Sequence, residues 1–339
     1  MTHIPLNPKI FDADVEQVPI RKGFGEGLLE AARKDSQIVG LCADLTESTQ
    51  MHLFKKEFPE RFVEVGIAEQ NLASVASGMA AMGKLPFITS YAMFSPGRNW
   101  EQIRTTICYN DQKVIIAGSH AGISVGPDGG THQAVEDIAI TRVLPNMTVL
   151  VPCDVLEAKK ATLLSAQSSK QGGTNTPVYI RLAREKSPVI TTENTPFEIG
   201  KAQVFFESES GVHDVAILAC GALVYNALVA AKRLEEKGIA VKVLNMASVK
   251  PIDVEAIVEV SKETGAIVTV EEHQVAGGLG GAVAEVVLTH VHKKDIPAME
   301  CIGVHDRFGQ SGTPQELIKE YGMTTEDISA AVERVLQRK

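Results

Sequence analysis

Short apolar runs alternate with stretches of helical periodicity along the whole chain. Hydrophobic runs fall at residues 38–42, 62–65, 85–89, 113–118, 148–151 and 178–182. They show no alternation with polar residues, which predicts strands buried on both faces of a parallel sheet. Between them, apolar positions recur at three- and four-residue spacing over 22–34, 68–82, 99–110, 133–143 and 156–166, which predicts helices. This alternation predicts a doubly wound α/β domain. A second series follows, with strands at 215–219, 241–245, 266–270 and 300–304 and helices at 222–237, 254–264, 278–290 and 325–337.

Between the two series the periodicity breaks. Polarity rises over 165–176, and Ser187-Pro-Val-Ile-Thr-Thr-Glu-Asn-Thr-Pro196 carries two prolines and neither period, so it is the better candidate linker. We expect a domain over 1–190, a linker over 191–200 and a smaller α/β domain over 201–339. A chain of 339 residues suits two cores better than one.

Composition then excludes several classes of partner. A 44% hydrophobic and 22% charged chain is an ordinary globular one. No apolar run approaches the ~20 residues of a membrane helix. The opening Met1-Thr-His-Ile lacks the basic and apolar regions of a secretory signal, so a cytoplasmic location is expected. The net charge of -9 argues against nucleic acid or an anionic membrane, since both require a basic footprint. Cys42, Cys108, Cys153, Cys220 and Cys301 form no CxxC pair and read as buried structural thiols.

Two stretches carry candidate chemistry. Phe62-Val-Glu-Val-Gly-Ile-Ala-Glu-Gln-Asn71 runs from a buried strand into a helix with Glu69 in its first turn. The helix dipole favours an anion there. Apolar neighbours Val65, Ile67 and Leu72 would favour the neutral acid, so sequence leaves the balance open. The second stretch, Gly118 to Gly130, begins where a strand ends and places His120, Asp128 and, just beyond, His132 at a strand's carboxyl end, where α/β sheets bind ligands. Val275-Ala-Gly-Gly-Leu-Gly-Gly281 has neither GxGxxG spacing nor a Walker lysine and reads as close helix–strand packing.

Several motifs in register resemble the C-terminal half of transketolase: Glu64-Val-Gly-Ile-Ala-Glu-Gln-Asn71, Thr89-Ser-Tyr-Ala-Met-Phe94, Asp128-Gly-Gly-Thr-His-Gln133, and Leu144-Pro-Asn-Met147 with Val151-Pro-Cys-Asp154. The resemblance covers essentially the whole chain, as a pyrimidine-binding domain followed by the family's C-terminal domain. Less closely, the chain resembles parts of deoxyxylulose-phosphate synthase and of the β subunit of 2-oxo-acid dehydrogenases.

The resemblance implies a role for each matching residue. Glu69 would hydrogen-bond the aminopyrimidine ring of thiamine diphosphate and so promote loss of the thiazolium C2 proton. Phe94 and Tyr91 would pack on that ring, with Ile67 and Asp44 also near the cofactor. Asp128, His132 and His120 would line the substrate channel, His132 at the reacting end and His120 nearer the phosphate. Arg21, Ser48 and Arg184 match the family's phosphate-end positions, with Arg181 a rival to Arg184. Glu271 and His273 read as surface or interface residues.

One family feature is missing. The Gly-Asp-Gly motif that holds Mg²⁺ and the diphosphate occurs nowhere in the chain. A separate N-terminal-half subunit would supply that site, giving an α2β2 assembly that transfers a two-carbon ketol unit between sugar phosphates. Half of another thiamine diphosphate enzyme, and a non-catalytic binding module, stay open as alternatives.

Overall fold

A computed structural model describes residues 4–209 and 211–339. Residues 1–3, at the start of the segment read for a secretory signal, lie outside the described residues. Strand β1 (Gln17–Pro19) leads directly into helix α1 (Ile20–Lys34). Then come β2 (Ile38–Cys42), α2 (His52–Glu57), β3 (Phe62–Glu64), α3 (Glu69–Ala81), β4 (Leu85–Tyr91) and α4 (Trp100–Gln102), which runs on as a wide π-helical turn, Ile103–Cys108. Strand β5 (Ile115–Ser119), α5 (Asp137–Arg142), β6 (Thr148–Leu150), α6 (Val155–Ala166) and β7 (Val178–Arg181) complete the first series. Strand β8 (Lys186–Pro188) then returns antiparallel onto β1.

The second series comprises β9 (Gln203–Glu207), β10 (Val215–Ala219), α7 (Val224–Glu236), β11 (Val241–Asn245), β12 (Ser248–Lys250), α8 (Val254–Thr264), β13 (Ala266–Gln274), α9 (Leu279–His290), β14 (Ala298–Val304), α10 (Pro314–Glu320) and α11 (Thr325–Leu336). Its sheet has the order β14-β13-β10-β11-β9, parallel except for β9. The first sheet has the order β12-β6-β7-β5-β4-β2-β3, parallel except for β12. This is the expected α/β architecture of mainly parallel sheets. Every residue of β2, β5 and β10 is buried, as their continuous apolar runs require.

The expected elements mostly form, and the departures come from pairing with other segments. The helix expected over 133–143 shrinks to α5, because Ala134 pairs with Ala121 and accepts the Gly122 amide at 2.8 Å, which takes 133–136 out of helical geometry. Strand β12 lies beyond the linker yet extends the first sheet. Three residues are too few to show a period in sequence. The linker segment is packed down: the Ile190 and Thr191 amides donate to Asp154 at 2.8 and 2.6 Å, and Lys160 binds the Thr192 and Thr195 carbonyls. One apolar cluster contains Leu72, Ile88 and Val151 from the first series and Leu218, Leu244 and Leu279 from the second, so the core is continuous between the sheets.

Candidate active site

Parallel strands deliver their following loops to one edge of a sheet, and the carboxyl ends of β2, β3, β4 and β5 bring the candidate residues there. After β3 the chain turns at Gly66, whose φ of 70° is left-handed, and enters α3 with Glu69 as its first residue. Glu69 is 1% exposed. Its Oε2 accepts a 2.6 Å hydrogen bond from Arg98 Nη1, and its main-chain carbonyl accepts one from Asn99 Nδ2 at 2.9 Å. The second carboxylate oxygen, Oε1, has no hydrogen-bond partner among the described residues. The expected apolar wall is corrected on one side: Ile67 is 73% exposed, and the carboxylate is met there by an ion pair with Arg98.

Around this carboxylate the rings form one cluster. Tyr91 stacks on His120 with centroids 3.8 Å apart and lies nearly parallel to Phe94 at 6.2 Å. His132 meets Phe94 edge-on at 5.4 Å and Tyr91 at 6.3 Å. The Arg98 guanidinium lies 4.8 Å from the Phe94 centroid, so it links Glu69 to the rings. Sequence reasoning passed over Arg98. Its only signal was a cation placed just after the aromatic motif.

His120 occupies a left-handed backbone position, φ 54°, and its Nε2 lies 3.1 Å from Arg21 Nη1. A guanidinium only donates, so Nε2 accepts and the ring proton sits on Nδ1, donated to Ser119 Oγ at 2.9 Å. Burial, then Arg21 and Arg184, push the imidazole down to about 3. Burial and Arg184 also lower Arg21 from the ordinary arginine value. Arg21 donates to the Ser48 carbonyl at 2.7 Å, and Arg184 to the Val125 carbonyl at 2.6 Å. Two guanidiniums beside a neutral imidazole make a corner suited to an anion. His120 therefore keeps a constant ring signal in histidine NMR from pH 8 down to about 4; titration near the ordinary 6.5 contradicts this arrangement.

The remaining candidates sit on the same edge with fewer contacts. Asp128 is exposed at the end of the turn Ile123–Asp128, and among the described residues its carboxylate has no hydrogen bond or ion pair. His132 Nδ1 lies 2.9 Å from Thr131 Oγ1. Asp44 is exposed at φ 57°, and its amide donates to Glu64 Oε1, which also accepts the Gly66 amide. Glu64 thus ties the loops after β2 and β3 together.

Arg181 and Arg184 have separate surroundings. Arg181 is buried against Asp137, with Nε to Oδ2 at 2.8 Å, and its Nη2 reaches the Glu272 carbonyl at 2.8 Å. Asp137 also accepts the Tyr179 hydroxyl at 2.7 Å. Arg181 is committed to the seam between the two series, whereas Arg184 pairs with Glu185 at 3.5 Å and its charge acts on Arg21 and His120.

Glu271 and His273 correct the sequence reading. They lie within β13, longer than expected, and both are 0% exposed. Glu271 accepts the Leu279 and Gly280 amides at 2.7 and 2.8 Å, and burial pushes its carboxyl up to about 7. The N-terminus of α9 is therefore capped by the protein's own acid, and a Cβ at Gly278 would lie 2.0 Å from Glu271 Oε2. Close packing explains the glycine-rich stretch.

Among the described residues no group of three or more His, Cys, Asp or Glu could hold a metal ion, and no helix is long and apolar enough to cross a membrane. Cys42, Cys108, Cys153 and Cys220 are buried free thiols, with Cys301 half-buried.

Residues 16–189 match the family model for the transketolase pyrimidine binding domain, and 206–328 that for the transketolase C-terminal domain. The chain is 39% identical to the 6-deoxy-6-sulfo-D-fructose transketolase subunit SqwH of Clostridium sp., covering 97% of this chain and 98% of that protein. It is 37% identical to an apulose-4-phosphate transketolase subunit of Phocaeicola vulgatus, covering 92% and 95%. Among solved structures, a split gene transketolase described as an inactive β4 tetramer superposes with a TM-score of 0.84 at 45% identity, covering 94% of this chain and 99% of that one.

Proposed function

Because the chain belongs to the transketolase family, as its C-terminal half, we propose that it works as one subunit of a split transketolase. In this reading it moves a two-carbon ketol unit from a ketose phosphate to an aldose phosphate, together with a chain that bears the Gly-Asp-Gly site. The observation that carries the reading is the buried Glu69 carboxylate, held on one oxygen by Arg98 and open on the other, beside the Tyr91, Phe94, His120 and His132 cluster.

These residues fit the aminopyrimidine end of thiamine diphosphate. Tyr91 and Phe94 offer aromatic surface, and Glu69 Oε1 is an acceptor without an internal partner. The bound cofactor supplies the electron sink for carbon–carbon cleavage, and the protein tunes it. Glu69 would hold and move a proton at the pyrimidine ring nitrogen, with Arg98 fixing the carboxylate's orientation. His132 and Asp128 would position the sugar's hydroxyl and carbonyl groups. Arg21 and Arg184, with His120 and Ser48, would receive its anionic end. A sulfonate would suit the same corner by its charge, and the Clostridium relative is named for a 6-sulfo sugar. Asp44 and Ile67 face outward, where a subunit contact at the cofactor would cover them. Magnesium and the diphosphate would fall to the partner chain, because the Gly-Asp-Gly motif that holds them in the family does not occur in this sequence. The assembly would be α2β2, with this chain self-associating, and the location cytoplasmic.

Reconstitution tests this. The chain is combined with a Gly-Asp-Gly-bearing partner, thiamine diphosphate and Mg²⁺, and offered xylulose 5-phosphate and ribose 5-phosphate. Ketol transfer appears only with both chains present. Transfer by this chain alone overturns the split-subunit reading, and consumption of pyruvate instead overturns the reaction assignment.

A further inference from the structure

Gln133 ends the motif that carries Asp128 and His132, yet its side chain turns away from the ring cluster. It is 1% exposed, and its Nε2 lies 3.1 Å from the Ile123 carbonyl, 3.1 Å from that of Gly126 and 2.9 Å from that of Gln310. One buried amide group thus joins the start of the turn Ile123–Asp128 to its middle and reaches across to the second series.

The segment it reaches is itself held firmly. The Gln274 side chain accepts the Asp306 amide at 3.0 Å and donates to the Arg307 carbonyl at 2.8 Å. The Tyr321 hydroxyl donates to the Phe308 carbonyl at 2.6 Å, and Thr313 with Glu316 forms a capping box at the start of α10. Against this anchored segment the site loop packs backbone on backbone. A Cβ at Gly309 would fall 1.7 Å from Gln133 Oε1, and a Cβ at Gly130 would fall 2.6 Å from the Gly309 carbonyl. Beside the Gln133 side chain, the two loops leave no room for another at Gly130 or Gly309.

We propose that Gln133 and residues 308–312 form a latch through which the second α/β unit positions Asp128 and His132. Gln133 is a positioning residue: it acts on substrate affinity through the loop and leaves cofactor activation at Glu69 untouched. The kinetic part of this inference rests on the ketol-transfer reading; the latch itself does not.

Two variants test it, Gln133→Met, which keeps the volume and deletes the donors, and Gly309→Ala, which displaces the side chain. In the full chain, amide exchange over residues 126–133 speeds about tenfold or more in both, while β10 and β13 keep their protection. In the reconstituted complex the sugar KM rises about fivefold to fiftyfold with kcat within about twofold, and exchange of the thiamine C2 proton is unchanged. Unaltered amide exchange at 126–133 in both variants overturns the latch whether or not the complex is active. An unchanged KM, or a slowed C2 exchange, overturns the positioning role. If wild-type complex shows no ketol transfer but the variants lose loop protection, the function reading falls and the latch stands.

Discussion

Glu69→Gln lowers ketol transfer by the reconstituted complex by about a hundredfold or more while leaving the subunits assembled. The amide keeps the shape of the carboxylate and still accepts the Arg98 hydrogen bond, so the start of α3 and its contact to Asn99 persist. It cannot exchange a proton with a ring nitrogen, which is the step assigned to this side chain. Arg98 is half-exposed and can be solvated when its partner loses charge, so the stability change stays within about 1 kcal/mol. Steady-state kcat, size-exclusion elution and the rate of thiamine C2 exchange are the measurements. Wild-type turnover in the variant removes Glu69 from the mechanism.

The largest effect on stability is expected at Arg181. Replacing it with Met leaves the Asp137 carboxylate buried with the Tyr179 hydroxyl as its remaining side-chain partner, and Asp137 Oδ1 already has none. Stranding one member of a buried pair costs about 3–5 kcal/mol, because its desolvation is no longer offset. The urea midpoint of Arg181→Met falls accordingly. The double variant Arg181→Met with Asp137→Asn recovers part of the loss, and with Asp137→Asn alone it completes the cycle whose non-additivity isolates the pair. A single-variant loss below about 1 kcal/mol contradicts the assignment of Arg181 and Asp137 as a buried ion pair that the fold depends on.

Much of the architecture could be read directly. The buried strands at 38–42 and 215–219 are continuous apolar runs, and such runs have few ways to leave water other than a covered parallel sheet. The helix α3, expected over 68–82 with Glu69 in its first turn, was legible for a similar reason, as a periodic segment opened by an acid. Failures fell where segments far apart in the chain compete for the same groups. The residues 133–136 have helical spacing, but Ala134 pairs with Ala121 and Gln133 is drawn to Gln310. Glu271 and His273 look like exposed polar residues at a strand's end, and the fold buries them because the amides of α9 meet Glu271.

The family motifs named residues that the fold gathers at one sheet edge, but did not reveal their electrostatics. They named Glu69 and passed over Arg98, twenty-nine positions on and now 2.6 Å away. They left Arg181 and Arg184 as rivals, three residues apart in one segment. One faces Asp137 inside the seam, and the charge of the other acts on Arg21 and His120 at the site.

The sequence by itself determined most of the buried strands and longer helices, that two α/β units follow one another, and that a Gly-Asp-Gly metal motif is missing. These follow from local periodicity and from residue identity. Only the tertiary structure decided which charge meets which partner, which strand edge takes β12 and how the second unit grips the loop of Asp128 and His132. Such pairings depend on distances between groups far apart along the chain, and those distances exist only once the two sheets have packed around their shared core.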